Sequence, residues 1–473
     1  MHYETTNIIV KANQQWLQDY CDYHTKLAKL FKNSIIFRLR QLYFARIKNF
    51  ENLSENEQQV LDEFKLTEDK FKPISNKYYV PSYEHFVYLF TVTKNPDYYN
   101  DLPQQSSQHI IKETLTDVKS YFSAKKDYKA NPSKYKGEPK FPKYIKKENT
   151  SFDITNQDAV IKLENGKNVL KLPKTKERIS LGDLEIQRLK EITIKPFYDT
   201  FKISLVFEVE DTIQTREKNQ SKEEINDSIA NERVLSIDLG VDNIITTSNN
   251  CGLVPFIVKG NDLKAFNQWY NKKVAYLKSH LPKDTYTSKQ LQTLHKHRHL
   301  KINDMYNKIA SYIIQYCLKE NIGVIVIGKN TYWKQETNMG TKTNQNFCFI
   351  SHTYLVNKIV SMAKTVGIET IQQEESFTSK ASFLDGDNIP IFDKNNDTTY
   401  KFSGKRIYRG LYKSKNGILM NADVNGASNI LKKAIPNAFD HIKDFSYLYK
   451  TTNVVEIKNG KVQLKEKEIK SKI

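Results

Sequence analysis

The stretch VLSIDLGVDNIITTS, residues 234–248, limits the possible folds more than any other part of the chain. Two β-branched apolar runs flank a turn at Gly240, and the first run contains a single aspartate, Asp238. Such runs are typical of paired strands. A carboxylate in a buried strand is unfavourable by several kcal/mol unless a partner compensates it. We therefore expect Asp238 to hold a partner group or an ion.

The text after this stretch predicts the rest of an α/β domain. The runs VLSIDLG, NIITTS and LVPFIVKG favour an antiparallel meander of three strands. Helical periodicity covers residues 263–281 and 291–320. The remaining elements, in order, are the strand IGVIVIG, a helix near 352–365, the strand IETIQQEES and the helix NADVNGASNILKKAI. This order is typical of an RNase H-like sheet, although many α/β folds share parts of it.

Carboxylates that are distant in the sequence can meet in a sheet of this order. A central-strand acid, a second on a neighbouring strand and a third on a helix could hold two Mg²⁺ ions about 3.5 to 4 Å apart. Ions in that arrangement activate water and stabilise the leaving oxygen of a phosphodiester. Asp238 is the first candidate, and Asp423, near the start of the last helix, is the third. Either acid alone is equally compatible with a turn or a helix start.

The charge balance of the chain favours a polyanionic partner. Lys and Arg number 73 against 54 Asp and Glu, which gives a formal net charge of +19. Counterion release favours binding of such a surface to nucleic acid, and the alternative is a basic solvated surface without a partner. The four cysteines form no C-x-x-C pair, so neither a disulfide framework nor a zinc site is indicated. With no signal peptide or membrane-spanning run apparent, we expect a cytoplasmic, nucleoid-associated protein.

One segment combines lysines with aromatic residues. Between Lys119 and Glu148 the sequence contains ten lysines, three prolines and six Tyr or Phe. Lysines can neutralise phosphates while rings stack on bases, a combination suited to single strands or irregular RNA. Lys125, Lys126 and Lys143 are the candidate nucleic-acid contacts, and a solvated linker is the alternative.

A histidine cluster, LHKHRHLK at residues 294–301, offers a further candidate. Residues two apart on a helix point to different sides, so the three histidines have poor geometry for a metal. Arg298, within this cluster, is instead a candidate contact to nucleic acid, and simple exposure to solvent is the alternative.

Four motifs, in their order and spacing, resemble the split RuvC motifs of TnpB, the insertion-sequence-encoded nuclease related to type V CRISPR effectors. They are IDLGVDNIITTS, IVIGKN, EESFTSK and NADVNGASNI, and the resemblance extends to FPKYIKKENTSFDITNQ and GNDLKAFNQWYNKK. The resemblance implies an RNA-guided, Mg²⁺-dependent DNA endonuclease, with Mn²⁺ as a substitute ion. In such a protein a guide RNA pairs with one strand of target double-stranded DNA, the protein reads a short adjacent duplex motif, and one RuvC site cuts.

The resemblance assigns the first and third carboxylates to Asp238 and Asp423. The family usually has a glutamate at the end of the fourth strand, where this chain has Gly328. A glycine has no side chain to bind a metal, so the site is either incomplete or completed from elsewhere. The resemblance to related members that place the glutamate in the text E-x-(aromatic)-T-S-K implies Glu375, which matches that text. Neighbouring strand residues face opposite ways, so at most one of Glu374 and Glu375 is expected to bind metal, and surface acids are the alternative.

We favour Glu375 over Glu374. Asp238, Glu375 and Asp423 are therefore the predicted catalytic and metal-binding residues.

The insert between TSK and NAD departs from the family pattern. The family commonly carries two C-x-x-C pairs there, but this chain reads KASFLDGD and RIYRGLYKS, so no zinc is expected. The sequence DGD at 385–387 fits a turn better than a calcium loop. Without metal, the insert is expected to be held by its own aromatic residues. These are Phe383, Phe392, Tyr400, Phe402, Tyr408 and Tyr412.

The same insert is basic. Lys405, Arg406 and Arg409 are the candidate residues that guide a DNA strand towards the cutting site, and a solvated surface is the alternative.

The predicted fold is a multidomain α/β protein with an RNase H-like (RuvC) nuclease domain, an N-terminal β-barrel (wedge) domain and an inserted helical lobe. In chain order we expect the first barrel strand over 1–12, the helical recognition lobe over 13–130, the barrel wedge domain over 131–225, the RuvC-like domain over 230–375 and 416–440, the zinc-free nucleic-acid-binding insert over 376–415, and a C-terminal tail over 441–473.

Three functional hypotheses follow. The leading one is an RNA-guided DNA endonuclease whose partners are guide RNA and double-stranded DNA. The second, motivated by Gly328, is a nuclease-inactive RNA-guided DNA-binding repressor. The third is a general RNA- or single-strand-binding protein, which would not depend on a guide sequence. The sequence leaves the oligomeric state open.

Overall fold

The computed structural model describes residues 2–209 except 183, 185 and 187, and residues 232–329, 351–391, 399–458 and 461–468. Phe392 and the end of the predicted barrel range lie outside the described residues. The chain forms two compact units, Met1–Glu210 and Asp211–Ile473. Both units contain helices and strands, so the predicted multidomain α/β class is confirmed. Among the described helices, none combines the length and apolar character that crossing a membrane requires.

The N-terminal unit begins with one strand and continues with helices. These first elements are β1 (His2–Ile9), α1 (Gln15–Ile47), α2 (Glu55–Lys65), α3 (Tyr83–Val92) and α4 (Gln104–Ala130). α1 buries Leu17, Phe31 and Ile35 completely along one face. α2 starts with a capping box, because the Ser54 hydroxyl accepts from the Glu57 backbone N–H while the Glu57 carboxylate accepts from the Ser54 N–H.

Two antiparallel sheets follow the helices. Their strands are β2 (Phe152–Thr155), β3 (Val160–Glu164), β4 (Lys167–Lys171), β5 (Ile179–Gly182), β6 (Arg188–Phe197) and β7 (Thr200–Val209). β1 pairs with β7 along its whole length in a four-stranded sheet of order β1-β7-β6-β2. β3, β4 and β5 form the second sheet, and the β3–β4 turn uses positive φ at Asn165 and Gly166. Within the described residues, backbone pairing does not close these sheets into a single barrel.

The C-terminal unit starts with a meander of β8 (Val234–Leu239), β9 (Asn243–Asn249) and β10 (Phe256–Lys259). The elements that follow are α5 (Asn261–Ser279), α6 (Lys289–Lys319), β11 (Val324–Lys329), α7 (His352–Thr365), β12 (Glu369–Glu374), β13 (Lys405–Tyr408), β14 (Leu411–Lys413), β15 (Leu419–Asn421), α8 (Ala422–Ala434), β16 (Thr451–Lys458) and β17 (Lys461–Glu468). β13, β14 and β15 pair with one another in a small antiparallel sheet.

The main sheet of this unit has the order β12-β11-β8-β9-β10-β16-β17. β8, β9 and β10 pair antiparallel, and β11 and β12 run parallel to β8. This is the predicted RNase H-like order. The sequence predicts a tail over 441–473, whereas β16 pairs parallel with β10 and β17 forms the sheet edge. Lys and Glu interrupt the apolar residues of this hairpin, a pattern that is typical of edge strands and gives a weak periodic signal.

Candidate catalytic carboxylate site

Strand alternation decides which residues of the main sheet can meet the last helix. On β8, Leu235 and Ile237 pack with residues of α6 and α7. Val234 packs instead with α8, and Ser236 donates to the carbonyl of Ala427 in α8 at 2.8 Å. Asp238 has the same parity as Val234 and Ser236, so the strand directs it towards α8.

α8 approaches Asp238 closely because Gly426 has no side chain. A Cβ atom at position 426 would lie 2.9 Å from Oδ2 of Asp238. The helix begins at Asn421, whose side chain accepts from the backbone N–H groups of Asp423 and Val424 at 2.9 and 3.2 Å. This cap fixes Asp423 in the first helical turn, near enough to Asp238 to raise the pKa of that acid.

Two neighbouring side chains orient the Asp423 carboxylate. Asn243, at the start of β9, donates from Nδ2 to Oδ2 at 2.7 Å. Arg406, on β13 of the insert, donates from Nη2 to Oδ1 at 2.8 Å. Asn243 is itself held because its Oδ1 accepts from Lys259 at 2.9 Å. Asp423 therefore has both oxygens engaged, one by a neutral donor and one by a cation.

The third acid reaches the site through the space at Gly328. This glycine shares the parity of Val324 and Val326 on β11, which pack with α8. A Cβ atom at Gly328 would lie 2.7 Å from Oε2 of Glu375. The carboxylate of Glu375, just beyond the end of β12, therefore occupies the space that a side chain at position 328 would need.

Glu374 takes a different direction from its neighbour. Its Oε2 accepts from Nζ of Lys433 at 2.7 Å, and its Oε1 accepts from the backbone N–H of Ser376 at 2.6 Å. Lys433 also donates to the carbonyls of Ser376 and Pro390 at 3.0 and 3.2 Å. Burial alone would raise the pKa of Glu374, but the Lys433 and Ser376 hydrogen bonds lower it. Glu375, and not Glu374, is the glutamate that the structure places beside Asp238.

Burial and neighbouring negative charges act on two of the three acids, Asp238 and Glu375. Burial raises the pKa of Asp238 well above its ordinary value, and the charges of Glu375 and Asp423 raise it further. Burial, followed by the charge of Glu374, raises the pKa of Glu375 to about 7. Among the residues that the structure describes, none donates a hydrogen bond to the buried Oε2 of Glu375. A divalent cation fits this donor set, because it would compensate the like charges of the three acids and would bind the Glu375 oxygen that no described donor satisfies.

The ligand oxygens of the three carboxylates lie farther apart than those of a compact site for a single ion. Among the described residues, one set of His, Cys, Asp or Glu has ligand atoms that all lie within 4.8 Å of one another: His109, Asp153 and Glu191 in the N-terminal unit. The acids of the candidate site are therefore more widely spread. This spread is compatible with two ions about 3.5 to 4 Å apart.

Residues 206–334 match a family model described as OrfB_IS605, probable transposase. This match supports the resemblance to an insertion-sequence-encoded protein over that part of the chain. The chain is also similar to Cas12f1 in a cryo-EM complex with sgRNA and target DNA, at 14% identity over 87% of this chain and 82% of that chain, with a TM-score of 0.47. A CRISPR-Cas12f ternary complex matches at 14% identity over 84% of this chain and 81% of that chain, with a TM-score of 0.31. No curated protein matches the chain.

The family match covers only part of the candidate site. Its range contains Asp238 and Gly328 and ends before Glu375 and Asp423. The positions of those two acids therefore come from the structure and not from the family match.

Two aspartates organise the insert of the C-terminal unit. Asp387 accepts from the backbone N–H of Ser382 and from both the N–H and hydroxyl of Ser403. Asp385 accepts from the Ser382 hydroxyl and from the N–H of Lys415. The DGD sequence thus forms a turn, with positive φ at Gly386, as predicted.

The insert aromatics divide into buried and exposed groups. Phe383 and Tyr412 are buried in the core beside α8. Tyr400 and Phe402 contact the ring of Phe377, while Tyr408 is 72% exposed. Packing of the insert therefore uses some of the predicted rings and leaves Tyr408 accessible.

The candidate cations of the insert have different surroundings. Arg406 pairs with Asp423, and Arg409 pairs with Asp242 in the β8–β9 turn. Lys405 is exposed. Two of these three cations are thus engaged at the rim of the acidic site.

The remaining predicted nucleic-acid contacts also have distinct environments. Arg298 donates to Oδ1 of Asn267 at 2.9 Å and lies over the ring of Tyr270 in α5. Lys125 donates to the hydroxyls of Tyr43 and Tyr121. Lys126 and Lys143 are exposed. Arg298 therefore packs against the neighbouring helix, whereas the lysines line a surface of the N-terminal unit.

Three residues of the site escape prediction from the sequence. They are Asn243, Gly426 and Lys433. The sequence does contain a signal for Gly426, because an isolated glycine inside a helical pattern often marks a close packing contact. The sequence contains no such signal for Asn243 or Lys433, since each resembles an ordinary turn or surface residue.

Proposed function

We propose that this chain is an RNA-guided DNA endonuclease of the TnpB type that hydrolyses phosphodiesters of target DNA at a single RuvC-like site. The observation that carries the proposal is the meeting of Asp238, Glu375 and Asp423 from β8, the end of β12 and α8. Three acids this distant in sequence, with a buried unsatisfied oxygen on Glu375, have little structural reason to converge without a cation.

Asp238, Glu375 and Asp423 would hold Mg²⁺, or Mn²⁺ in its place. The bound ions would supply activation of water and stabilisation of the leaving oxygen. The protein contributes the geometry: Asn243 orients Asp423, and Lys433 keeps Glu374 away from the site. The close approach of α8 at Gly426 excludes a side chain from beside Asp238. These contacts fix the donors before substrate arrives, which lowers the cost of reorganisation.

Guide RNA and double-stranded DNA are the partners in this proposal. The motif resemblance supports them, and so does the formal net charge of +19. A cation-rich surface would hold the phosphates while base pairing selects the sequence.

The test uses the full chain purified with the RNA that accompanies it. Sequencing that RNA supplies the guide, from which a matching DNA target is made. We expect Mg²⁺-dependent cutting that EDTA abolishes. Asp238→Asn should abolish cutting and retain guided DNA binding, while the control Asp262→Asn, an exposed acid at the start of α5, should behave as wild type. Loss of binding together with cutting would make Asp238 structural.

A nuclease-inactive RNA-guided repressor is the second candidate. The ion pair between Arg406 and Asp423 favours it, because a guanidinium occupies one oxygen of the third acid. Guide-dependent DNA binding with no products at any Mg²⁺ or Mn²⁺ concentration would establish this alternative. Binding that does not depend on the guide would favour a general single-strand-binding protein.

A further inference from the structure

A concave site of about 440 Å³ lies between α1 and α4 in the N-terminal unit. Its described lining contains four cationic side chains, two aromatic rings and one aliphatic side chain, with no acid among them. The lining residues are Tyr43, Arg46, Ile47, Phe122, Lys125, Lys126 and Lys129. Such a lining favours a ligand that carries both negative charge and a flat apolar face.

The cations of this pocket are only partly engaged by the protein. Lys126 and Lys129 are exposed and have no ion-pair partner in the described part of the chain. Lys125 donates to the Tyr43 hydroxyl at 3.2 Å, and its distance to the Glu138 carboxylate is 3.9 Å. The ammonium groups of Lys126 and Lys129 are thus available to bind phosphate. The ammonium group of Lys125 is held by its hydrogen bond to Tyr43.

The two rings of the pocket are held in place by contacts with neighbouring aromatic rings. Tyr43 stacks on Phe141, with centroids 4.8 Å apart and planes at 26°. Phe122 contacts Tyr79 edge-on, with ring centroids 5.5 Å apart, and the guanidinium of Arg46 lies over the Tyr79 ring, 3.7 Å from its centroid. Rings that are already held in place lose little conformational entropy when a base stacks on them. The two rings of the pocket are therefore preorganised for a planar ligand.

We propose that this pocket binds one unpaired nucleotide of a nucleic-acid strand, with its base against Phe122 and Tyr43 and its phosphate at Lys126 and Lys129. The volume suits a single nucleotide and not a base pair. Stacking on protein rings requires a base face that a duplex conceals in its interior. The assignment rests on the proposed function, because it supplies a strand for the pocket to hold.

The test is local to the pocket and does not require cutting. The full chain is incubated in EDTA with single-stranded RNA of about 12 nucleotides that carries 5-iodouridine, with the DNA counterpart carrying 5-iododeoxyuridine, and with the corresponding duplex. Ultraviolet crosslinks are mapped by mass spectrometry. We expect crosslinks to peptides containing Tyr43 or Phe122 with a single strand and not with the duplex. Comparison of the RNA and DNA arms identifies which strand the pocket prefers.

Charge variants provide the second measurement. Lys126→Ala/Lys129→Ala should lower the pocket crosslink at least fivefold, and should reduce the salt dependence of single-strand binding by about 1.4 in the slope of log K against log salt. Lys162→Ala/Lys167→Ala removes the same charge from the exposed β3–β4 hairpin and should change neither. Phe122→Leu should lower the crosslink while the two lysines remain.

Equal crosslinking with the duplex, or equal effects of the two double variants, would overturn the proposal. These outcomes are independent of the nuclease test. A chain that fails to cut can still crosslink at the pocket, and one that cuts can lack the pocket crosslink.

Discussion

A Cβ atom added to Gly328 would lie 2.7 Å from Oε2 of Glu375 and 2.7 Å from Cδ1 of Ile430. The glycine and the glutamate are therefore sterically coupled. Where the TnpB family usually carries a glutamate, this chain has the one residue that leaves room for a carboxylate to enter from the next strand. The departure at position 328 and the acid at position 375 are two parts of one arrangement.

Gly328→Ala tests that coupling. The new methyl group should displace the Glu375 carboxylate and lower cleavage about 100-fold, because misplacement of a catalytic group by about 1 Å has an effect of that size. The readout is the single-turnover cleavage rate with guided DNA binding measured in parallel. Gly323→Ala is the matched control, since the added Cβ there meets only the end of the Glu232 side chain. Equal rates for the two variants would show that Glu375 does not act from its observed position.

Arg406→Ala should lower the Mg²⁺ concentration needed for half-maximal cleavage. Arg406 pairs with Asp423 across a half-exposed contact and stabilises the negative charge that a metal ion would use. Exposed pairs of this kind contribute about 0.2 to 1 kcal/mol, so a shift of up to about fivefold is expected. Lys405→Ala, a neighbouring exposed cation, should leave the Mg²⁺ requirement unchanged. A higher requirement in the Arg406 variant would instead indicate that the guanidinium contacts DNA.

Lys433→Met should destabilise the C-terminal unit by about 2 kcal/mol. The ammonium group is almost fully buried and bonds the Glu374 carboxylate and two carbonyls, all of which would lose a charged donor. The measurement is the free energy of unfolding in urea. Lys432→Met removes one hydrogen bond to the Asp387 carbonyl and should have a smaller effect. A Lys433 variant as stable as the Lys432 variant would contradict this account.

His109 should make stability depend on pH in the N-terminal unit. The hydrogen bond to Asp153 raises the pKa of His109 in the folded protein, with burial acting in the opposite direction. The stability that this pair contributes is therefore complete below the unfolded pKa of about 6.5 and is lost as pH rises through the higher folded pKa. The difference in unfolding temperature between wild type and His109→Gln should be larger at pH 5.5 than at pH 8.5. The same difference at both values would show that the charge of His109 does not contribute.

The sequence predicted the fold class and the succession of strands and helices from β8 to α8, because those depend on local patterns. Period-two alternation in VLSIDLG sets the parity of Asp238, and helical spacing in NADVNGASNI sets the turn that contains Asp423. The β16–β17 hairpin was not predicted, because Lys and Glu residues interrupt the alternation of apolar residues in its two strands.

Strand alternation by itself could not decide which glutamate faces the site, and the preference for Glu375 came from the resemblance to TnpB. Glu374 and Glu375 are adjacent and chemically alike, and their separation depends on Lys433, which is distant in the sequence and close only in the fold.

The sequence by itself determined the acids available to this protein and most of its strands and helices, because periodicity and side-chain chemistry are properties of short segments. Only the tertiary structure decided which acids meet. Parallel pairing of β11 and β12 brings Glu375 to the space at Gly328, and the approach of α8 at Gly426 completes the site. That choice depends on steric fit between elements dozens of residues apart, which no local pattern encodes.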